Sequence, residues 1–280
     1  MREIDSKQIT DVVERLCIEA CCHLSQDVKN CIECSRAAEP WPIAQNILDR
    51  IIENYNIADD INMAICQDTG LACVFVEIGQ DVHVNGSLED AINEGVRRGY
   101  KNGYLRNSCV EEPLQNRKNT GDNTPAMIHY EIVAGDQLKI TVAPKGFGSE
   151  NMSQIKMLKV SDGAEGVKNF VLKVVEEAGP NPCPPIVVGV GIGGTFDKAA
   201  LMAKKAIIRP LDQRHPVQYY ADMEAELLEK INALGIGPQG FGGKTTALAV
   251  NIETMPTHIA GLPVAVNLNC HATRHKTEVL

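Results

Sequence analysis

Stretches of helical spacing alternate along this chain with short apolar runs bounded by glycine and proline. Ile9, Val12, Val13, Leu16 and Ile18 recur at the three- and four-residue intervals of an amphipathic helix. Ser6 can cap it, so the pattern predicts a helix running towards His23. Ser25 opens a second helix towards Ala38, and Pro42 suits the first turn of a third built on Ile43, Ile47, Leu48, Ile51 and Ile52. Near Ile65 the character changes. Leu71–Ile78 is apolar and β-branched, a strand following a Cys66–Gly70 turn, and Ser87–Tyr100 returns to helix. Met127–Ala134 and Gln137–Val142 read as strands joined at Ala134-Gly135-Asp136, a hairpin signal. A glycine-rich loop, Lys145–Asn151, precedes a helix from Ser161 to Ala178. Then come a strand at Ile186–Val190, a glycine loop at Gly189–Gly194, and helices at Asp197–Ile208 and Val217–Leu234. A second glycine loop, Gly235–Lys244, leads into strands at Thr245–Ile252 and Pro263–Leu268. The expected fold is α+β in one domain spanning 1–280. A helical N-terminal lobe (1–60) packs on a mixed α/β part (61–280) with glycine-rich loops around a site.

Composition narrows the function. The net charge is −9 and no long block of Lys or Arg appears, which argues against a nucleic-acid surface. An anionic substrate would need a locally positive pocket against that field. No apolar run approaches the roughly 20 residues that span a bilayer. Met1–Thr10 is polar and mixed in charge, unlike a secretory signal, so a cytoplasmic protein is expected.

There are ten cysteines, and in a long cytoplasmic chain they suggest thiols, metal ligands or core residues, not disulfides. Cys17, Cys21 and Cys22 fall in the first helix, and Cys31 and Cys34 form C-x-x-C in a helical context, which favours buried thiols acting as small hydrophobes. Cys73 lies inside an apolar strand and reads as core, while Cys109 has no assignable role. Cys66, Cys183 and Cys270 differ, because each sits where an apolar segment meets a polar or Pro/Gly turn. Cys66 opens Cys-Gln-Asp-Thr-Gly, Cys183 is set among the prolines of Asn181-Pro-Cys-Pro-Pro185, and Cys270 ends a strand at Asn269-Cys-His271. Thiols on stiff loops suit ligands.

Two glycine motifs invite other readings. Gly189-Val-Gly-Ile-Gly-Gly194 satisfies the dinucleotide pattern between a strand and a helix, but no run of βαβ units surrounds it, and Asp212 follows Arg209-Pro210 instead of a second strand. Gly237–Thr245 resembles a phosphate loop, yet Pro238 stands where the pattern needs its first glycine. Backbone N–H groups in such runs also bind carboxylates, which would suit a dicarboxylate.

Several blocks together resemble the class I fumarase family, which includes the two-subunit tartrate dehydratases. They are Ile65-Cys-Gln-Asp-Thr-Gly70, Ala143–Met152, Val188–Thr195, Gly235–Thr246, and Thr257–Pro263 with Asn269-Cys-His271, in the family's order from about Ile65 onward. The N-terminal helices fit the α subunit of the two-subunit form. The resemblance implies a [4Fe–4S] cluster held by Cys66, Cys183 and Cys270, with one iron left open as a Lewis acid. It implies that Gln67 and Asp68 contact substrate and are catalytic, with Asp68 handling a proton. It implies that Arg106 grips one carboxylate and that Lys145, Gly146 and Gly148 serve the other. His258, Gln239 and Lys244 are weaker candidates. A separate β subunit is expected to supply the base, in an α2β2-type assembly. The expected reaction is reversible hydration of fumarate to (S)-malate, with L-tartrate dehydration as the alternative. An iron–sulfur scaffold that senses oxygen is the rival from another class, although it gives Gln67, Asp68 and Arg106 no task.

Overall fold

The computed structural model describes residues 1–280. In chain order the elements are β1 (Arg2–Asp5), α1 (Ser6–Cys22), α2 (Gln26–Ala38), α3 (Pro42–Ile61), β2 (Leu71–Gly79), β3 (Val82–Asn85), α4 (Leu88–Asn102), β4 (Met127–Val133), β5 (Leu138–Lys145), α5 (Phe147–Glu150), β6 (Gln154–Leu158), α6 (Gly163–Ala178), β7 (Ile186–Gly193), α7 (Phe196–Ala206), α8 (Gln218–Ala233), β8 (Ala247–Met255), β9 (Leu262–Asn269) and β10 (Lys276–Val279). The fold is α+β. The chain divides into two compact units, one of Met1–Ser25, Asn54–Phe147 and Arg274–Leu280, the other of Gln26–Glu53 and Gly148–Thr273. The helices of the first sixty residues are therefore shared, α1 lying in the first unit and α2 in the second.

The first unit is a four-stranded sheet, β10-β5-β2-β4, with a two-stranded parallel pair, β1-β3. Alternate residues of the sheet, Val74, Val76, Ile140 and Val142, join Ile9, Val13 and Leu16 of α1 and Ile92 and Val96 of α4 in one core. The two helices approach closely because α4 carries Gly95 and Gly99, where an added Cβ would lie 2.6 Å from Val13 Cβ and 2.7 Å from Cys17 Cβ. Asp5, not Ser6, caps α1, its carboxylate accepting from Lys7 N at 2.7 Å.

The expected β4–β5 hairpin does not form. Both strands pair with β2 instead, β4 in parallel and β5 antiparallel, so β2 separates them. The Ala134–Asp136 turn passes over the end of β2, where Gly79 N donates to Gln137 O at 2.9 Å and Asp81 N to Gly135 O at 2.9 Å. Gly79 permits this approach, since a Cβ there would meet Gly135 O at 2.4 Å.

The second unit is built on the sheet β6-β9-β7-β8. Val188 and Val190 of β7 and Val264, Val266 and Leu268 of β9 face α6 and α8 through Phe170, Val171, Val174, Leu227 and Ile231. The intervening β7 residues, Gly189 and Gly191, face α7, whose backbone they admit: a Cβ at either would lie 2.2 Å from Ala203 O or 2.1 Å from Ala199 O. The stretch Gly189–Gly193, expected as a loop, is thus strand paired with β8 and β9, and the turn begins only at Gly194. No helix is long and apolar enough to cross a membrane.

Candidate active site

In the first unit the Cys66–Gly70 loop is held from several sides. Tyr100, buried on α4, donates to Thr69 O and Gly70 O, both at 3.0 Å. Burial raises the pKa of that hydroxyl well above its usual value, aided by the nearby Cys21 and Cys17 thiols, so it stays a neutral donor. Asn123 Nδ2 adds a bond to Gly70 O at 3.2 Å, while its Oδ1 accepts from Ser108 N and Cys109 N at 2.7 and 3.2 Å. A single amide thereby ties the cysteine loop to the segment after Arg106. Thr69 Oγ1 completes the tie, accepting from Arg106 N at 2.9 Å and donating to Arg106 O at 3.2 Å.

These ties set the positions of the groups with chemistry. Asp68, half-buried, accepts from Gly70 N at its Oδ1 and from Phe147 N at its Oδ2, both at 3.0 Å. Gly146 lies beside it without a side chain, where a Cβ would stand 3.2 Å from Asp68 Oδ2. Lys145 ends β5 with its side chain buried and its Nζ donating to Gly146 O at 3.1 Å. Arg106 is exposed, and no carboxylate pairs with it. Gln67 is exposed and accepts from Cys66 Sγ at 3.4 Å. The structure therefore brings Cys66, Gln67, Asp68, Arg106, Lys145 and Gly146 into one unit, and Gly148 falls in the other. Tyr100, Asn123, Thr69 and Arg274 escaped sequence reasoning. Thr69 lies inside the quoted Ile65–Gly70 block and Tyr100 at the end of a helix pattern, whereas Asn123 carries no sequence signal.

In the second unit Cys183 and Cys270 are linked through their neighbours. His271 Nδ1 lies 3.1 Å from Cys183 O and 3.3 Å from Gln239 Nε2. Gln239 also donates through Nε2 and its backbone N to Pro184 O, each at 2.8 Å. Cys183 (φ +55°) and Gln239 (φ +53°) hold left-handed backbone that these bonds stabilise. His258 takes another course: its Nδ1 accepts from Ala260 N at 3.2 Å within its own turn.

The Gly235–Lys244 loop already holds a carboxylate. Glu39, buried, accepts from Lys244 N at both oxygens at 3.0 Å, from Thr245 N and Oγ1 at 2.9 Å, and from Trp41 N at 3.2 Å. Burial alone would raise the pKa of Glu39, but the donors from Lys244, Thr245 and Trp41 outweigh it and hold the group below the usual carboxylate range. The phosphate-loop likeness is explained by an internal anion, and the dinucleotide likeness by the packing of α7 on β7.

Cys31 and Cys34 were expected as buried thiols, but Cys31 is half-buried and Cys34 is exposed, because it lies on the outer face of α2. Burial pushes Cys17 well above the usual thiol range, and it pushes Cys21 and Cys31 to about 11. Such thiols stay protonated and inert. Cys66 and Cys270 are half-buried and Cys183 is exposed, all on loops. Soft sulfur donors of this kind fit an iron–sulfur cluster by donor chemistry. The structure gathers no group of three or more His, Cys, Asp or Glu side chains placed to hold an ion, and the trio is divided between the two units.

An aspartate fixed by backbone donors next to a loop-borne thiol, with an unpaired arginine tied to the same loop, suits a hydro-lyase acting on an anionic substrate. The family model described as Fumarate hydratase (Fumerase) matches residues 10–279, and the chain belongs to that hydro-lyase family. It is 45% identical over 273 residues to a protein of Methanocaldococcus jannaschii named "Putative L(+)-tartrate dehydratase subunit alpha", covering 95% of each chain. It is 33% identical over 272 residues to proteins of Escherichia coli and Shigella sonnei named L(+)-tartrate dehydratase subunit alpha, covering 96% of this chain and 90% of each relative.

Proposed function

We propose that this chain is the α subunit of a two-subunit hydro-lyase for four-carbon dicarboxylates, with Cys66, Cys183 and Cys270 holding a [4Fe–4S] cluster. One observation carries the reading: Arg106, exposed and without a carboxylate partner, is anchored through Thr69 to the loop that bears Cys66 and Asp68. When bound, a cluster with three thiolate ligands supplies an open coordination position that acts as a Lewis acid towards the substrate hydroxyl.

The chain's own groups do the rest. Arg106 forms paired hydrogen bonds with one substrate carboxylate, a geometry that fixes orientation as well as charge. Gln67, exposed beside Cys66, bonds the substrate hydroxyl or carboxylate through its amide. Asp68, its carboxylate oriented by Gly70 N and Phe147 N, handles the hydroxyl-side proton, taking it from the incoming water in hydration and returning it to the leaving hydroxyl in dehydration. Lys145, with Gly146 and Gly148, places positive charge and bare backbone near the second carboxylate. In the dehydration direction a proton leaves the carbon next to the hydroxyl-bearing carbon, the C–O bond breaks, a C=C bond forms, and the proton and hydroxide leave as water. The base for that proton is proposed to come from a β subunit, in an α2β2-type assembly, because the relatives are named as alpha subunits over 90% or more of their length. Ten cysteines suit a reducing compartment, and we place the protein in the cytoplasm.

The first reading of the substrate pair is fumarate and (S)-malate, which the family description by itself does not separate from L-(+)-tartrate. A second reading, L-(+)-tartrate, is favoured by the names of the relatives. Turnover of both by the complex reconstituted with its β subunit separates them. A higher kcat/KM for (S)-malate supports the first, preference for tartrate establishes the second, and no loss of water from either overturns the hydro-lyase reading.

A further inference from the structure

Arg274 lies outside every motif that sequence reasoning singled out, yet it is buried, only 3% exposed, behind the aspartate loop. Its place follows from the sheet. β10 pairs antiparallel with β5 from Lys276 opposite Val142, and continuing that register by two residues sets Arg274 opposite Pro144. From there Arg274 Nε donates to Pro144 O at 3.4 Å and Nη2 donates to Asp68 O. The Asp68 side chain reaches forward to Phe147 N at 3.0 Å, and Gly146 lies between, its missing Cβ 3.2 Å from Asp68 Oδ2 and 3.7 Å from Arg274 Nη2. The two loops that carry Asp68 and Lys145 are thus clasped from behind by a guanidinium and from in front by a carboxylate. The planar guanidinium holds Nε and Nη2 in a fixed fork directed at both carbonyls, a geometry that the rotatable ammonium of a lysine does not pre-set.

We propose that Arg274 is a positioning residue: it fixes the direction of the Asp68 carboxylate and the course of the Lys145–Gly148 loop, and does not itself touch substrate. This rests on the reading of Asp68 as a substrate-side group. Because Arg274 acts through Asp68, its loss and the loss of the Asp68 carboxylate should not multiply.

The test uses the complex reconstituted with its β subunit and compares Arg274→Met, Arg274→Lys, Asp68→Asn and the double variant Arg274→Met/Asp68→Asn. The first readout is hydrogen exchange of the Gly70 and Phe147 amides. In Arg274→Met both should exchange at least tenfold faster while helices α6 and α8 keep their protection, and Arg274→Lys should lie between Met and the parent. The second is kinetic. Arg274→Met should lower kcat by about the factor that Asp68→Asn does with a smaller change in KM, and the double variant should be no slower than Asp68→Asn alone. Unchanged amide exchange in folded Arg274→Met, or effects on kcat that multiply, would overturn the proposal. If Arg274→Met fails to fold, Arg274→Lys decides: faster exchange at Gly70 and Phe147 supports the clasp, and parental exchange overturns it. A parent complex that dehydrates neither (S)-malate nor tartrate, with the amides nevertheless released in Arg274→Met, would sink the functional reading and leave the clasp standing.

Discussion

Two carboxylates in this protein are bound by backbone N–H groups of glycine-rich loops, and they differ in burial and in how fully they are bonded. Glu39 in the second unit is 2% exposed, and it spends both oxygens on Lys244, Thr245 and Trp41. Asp68 in the first unit takes one backbone donor per oxygen, stays half-buried, and follows a loop-borne thiol. The same local chemistry is structural where all the acceptor capacity is used and the group is sealed. It is available for catalysis where capacity and exposure remain. Motif spelling does not reveal the difference, because both loops read as anion-binding in sequence.

Asp68→Asn should lower kcat of the complex by about 100-fold or more, the range of a lost proton-transfer group, with the melting temperature nearly unchanged. An Asp68→Asn variant that is fully active but unstable would make the two carboxylates alike. Glu39→Ala should do the opposite, costing about 3 kcal/mol in chemical denaturation because several buried donors lose their acceptor. Glu39→Gln should cost less, since one oxygen remains to accept. Arg106→Lys should raise KM about tenfold, with kcat less affected, as expected when a bidentate charged contact becomes a single one. A loss of stability without a change in KM would return Arg106 to the role of a surface residue.

The smallest effect concerns pH. Burial would raise the pKa of Asp122, but bonds from Thr124 and from Arg97 win and bring it from 3.8 to about 2. A depressed carboxylate contributes stability above its unfolded value, and that contribution is lost as pH falls from about 4 towards about 2. Asp122→Asn should flatten the stability profile over that window. Because Asp122 neighbours Asn123, which holds Gly70 O, the same variant should loosen the Cys66–Gly70 loop slightly, as read by its amide exchange.

Much of the fold was legible because period carries it. The spacing of Ile9, Val13 and Leu16 led to α1, and the apolar, β-branched run Leu71–Ile78 led to β2. What stayed hidden was non-local. The Ala134-Gly135-Asp136 turn has every local mark of a hairpin, but β2 is interposed between the strands it joins. The glycines at 189 and 191 spell a dinucleotide loop, but the partner that needs their bareness is a helix packed against them. In the candidate site, Cys66, Asp68 and Arg106 were singled out from motifs, and the structure places them in one unit. Tyr100, Asn123 and Arg274 were not, since they act through backbone carbonyls that any residue could present.

The proposed function rests on Cys66, Cys183 and Cys270 being able to hold a cluster. Anaerobic reconstitution of the complex with iron and sulfide, followed by Mössbauer and visible spectroscopy on single Cys→Ser variants, addresses this directly. Cluster should be lost in Cys66→Ser, Cys183→Ser and Cys270→Ser, and kept in Cys17→Ser, Cys31→Ser and Cys34→Ser. Loss confined to Cys31→Ser and Cys34→Ser, with an intact cluster in the other three, would contradict it.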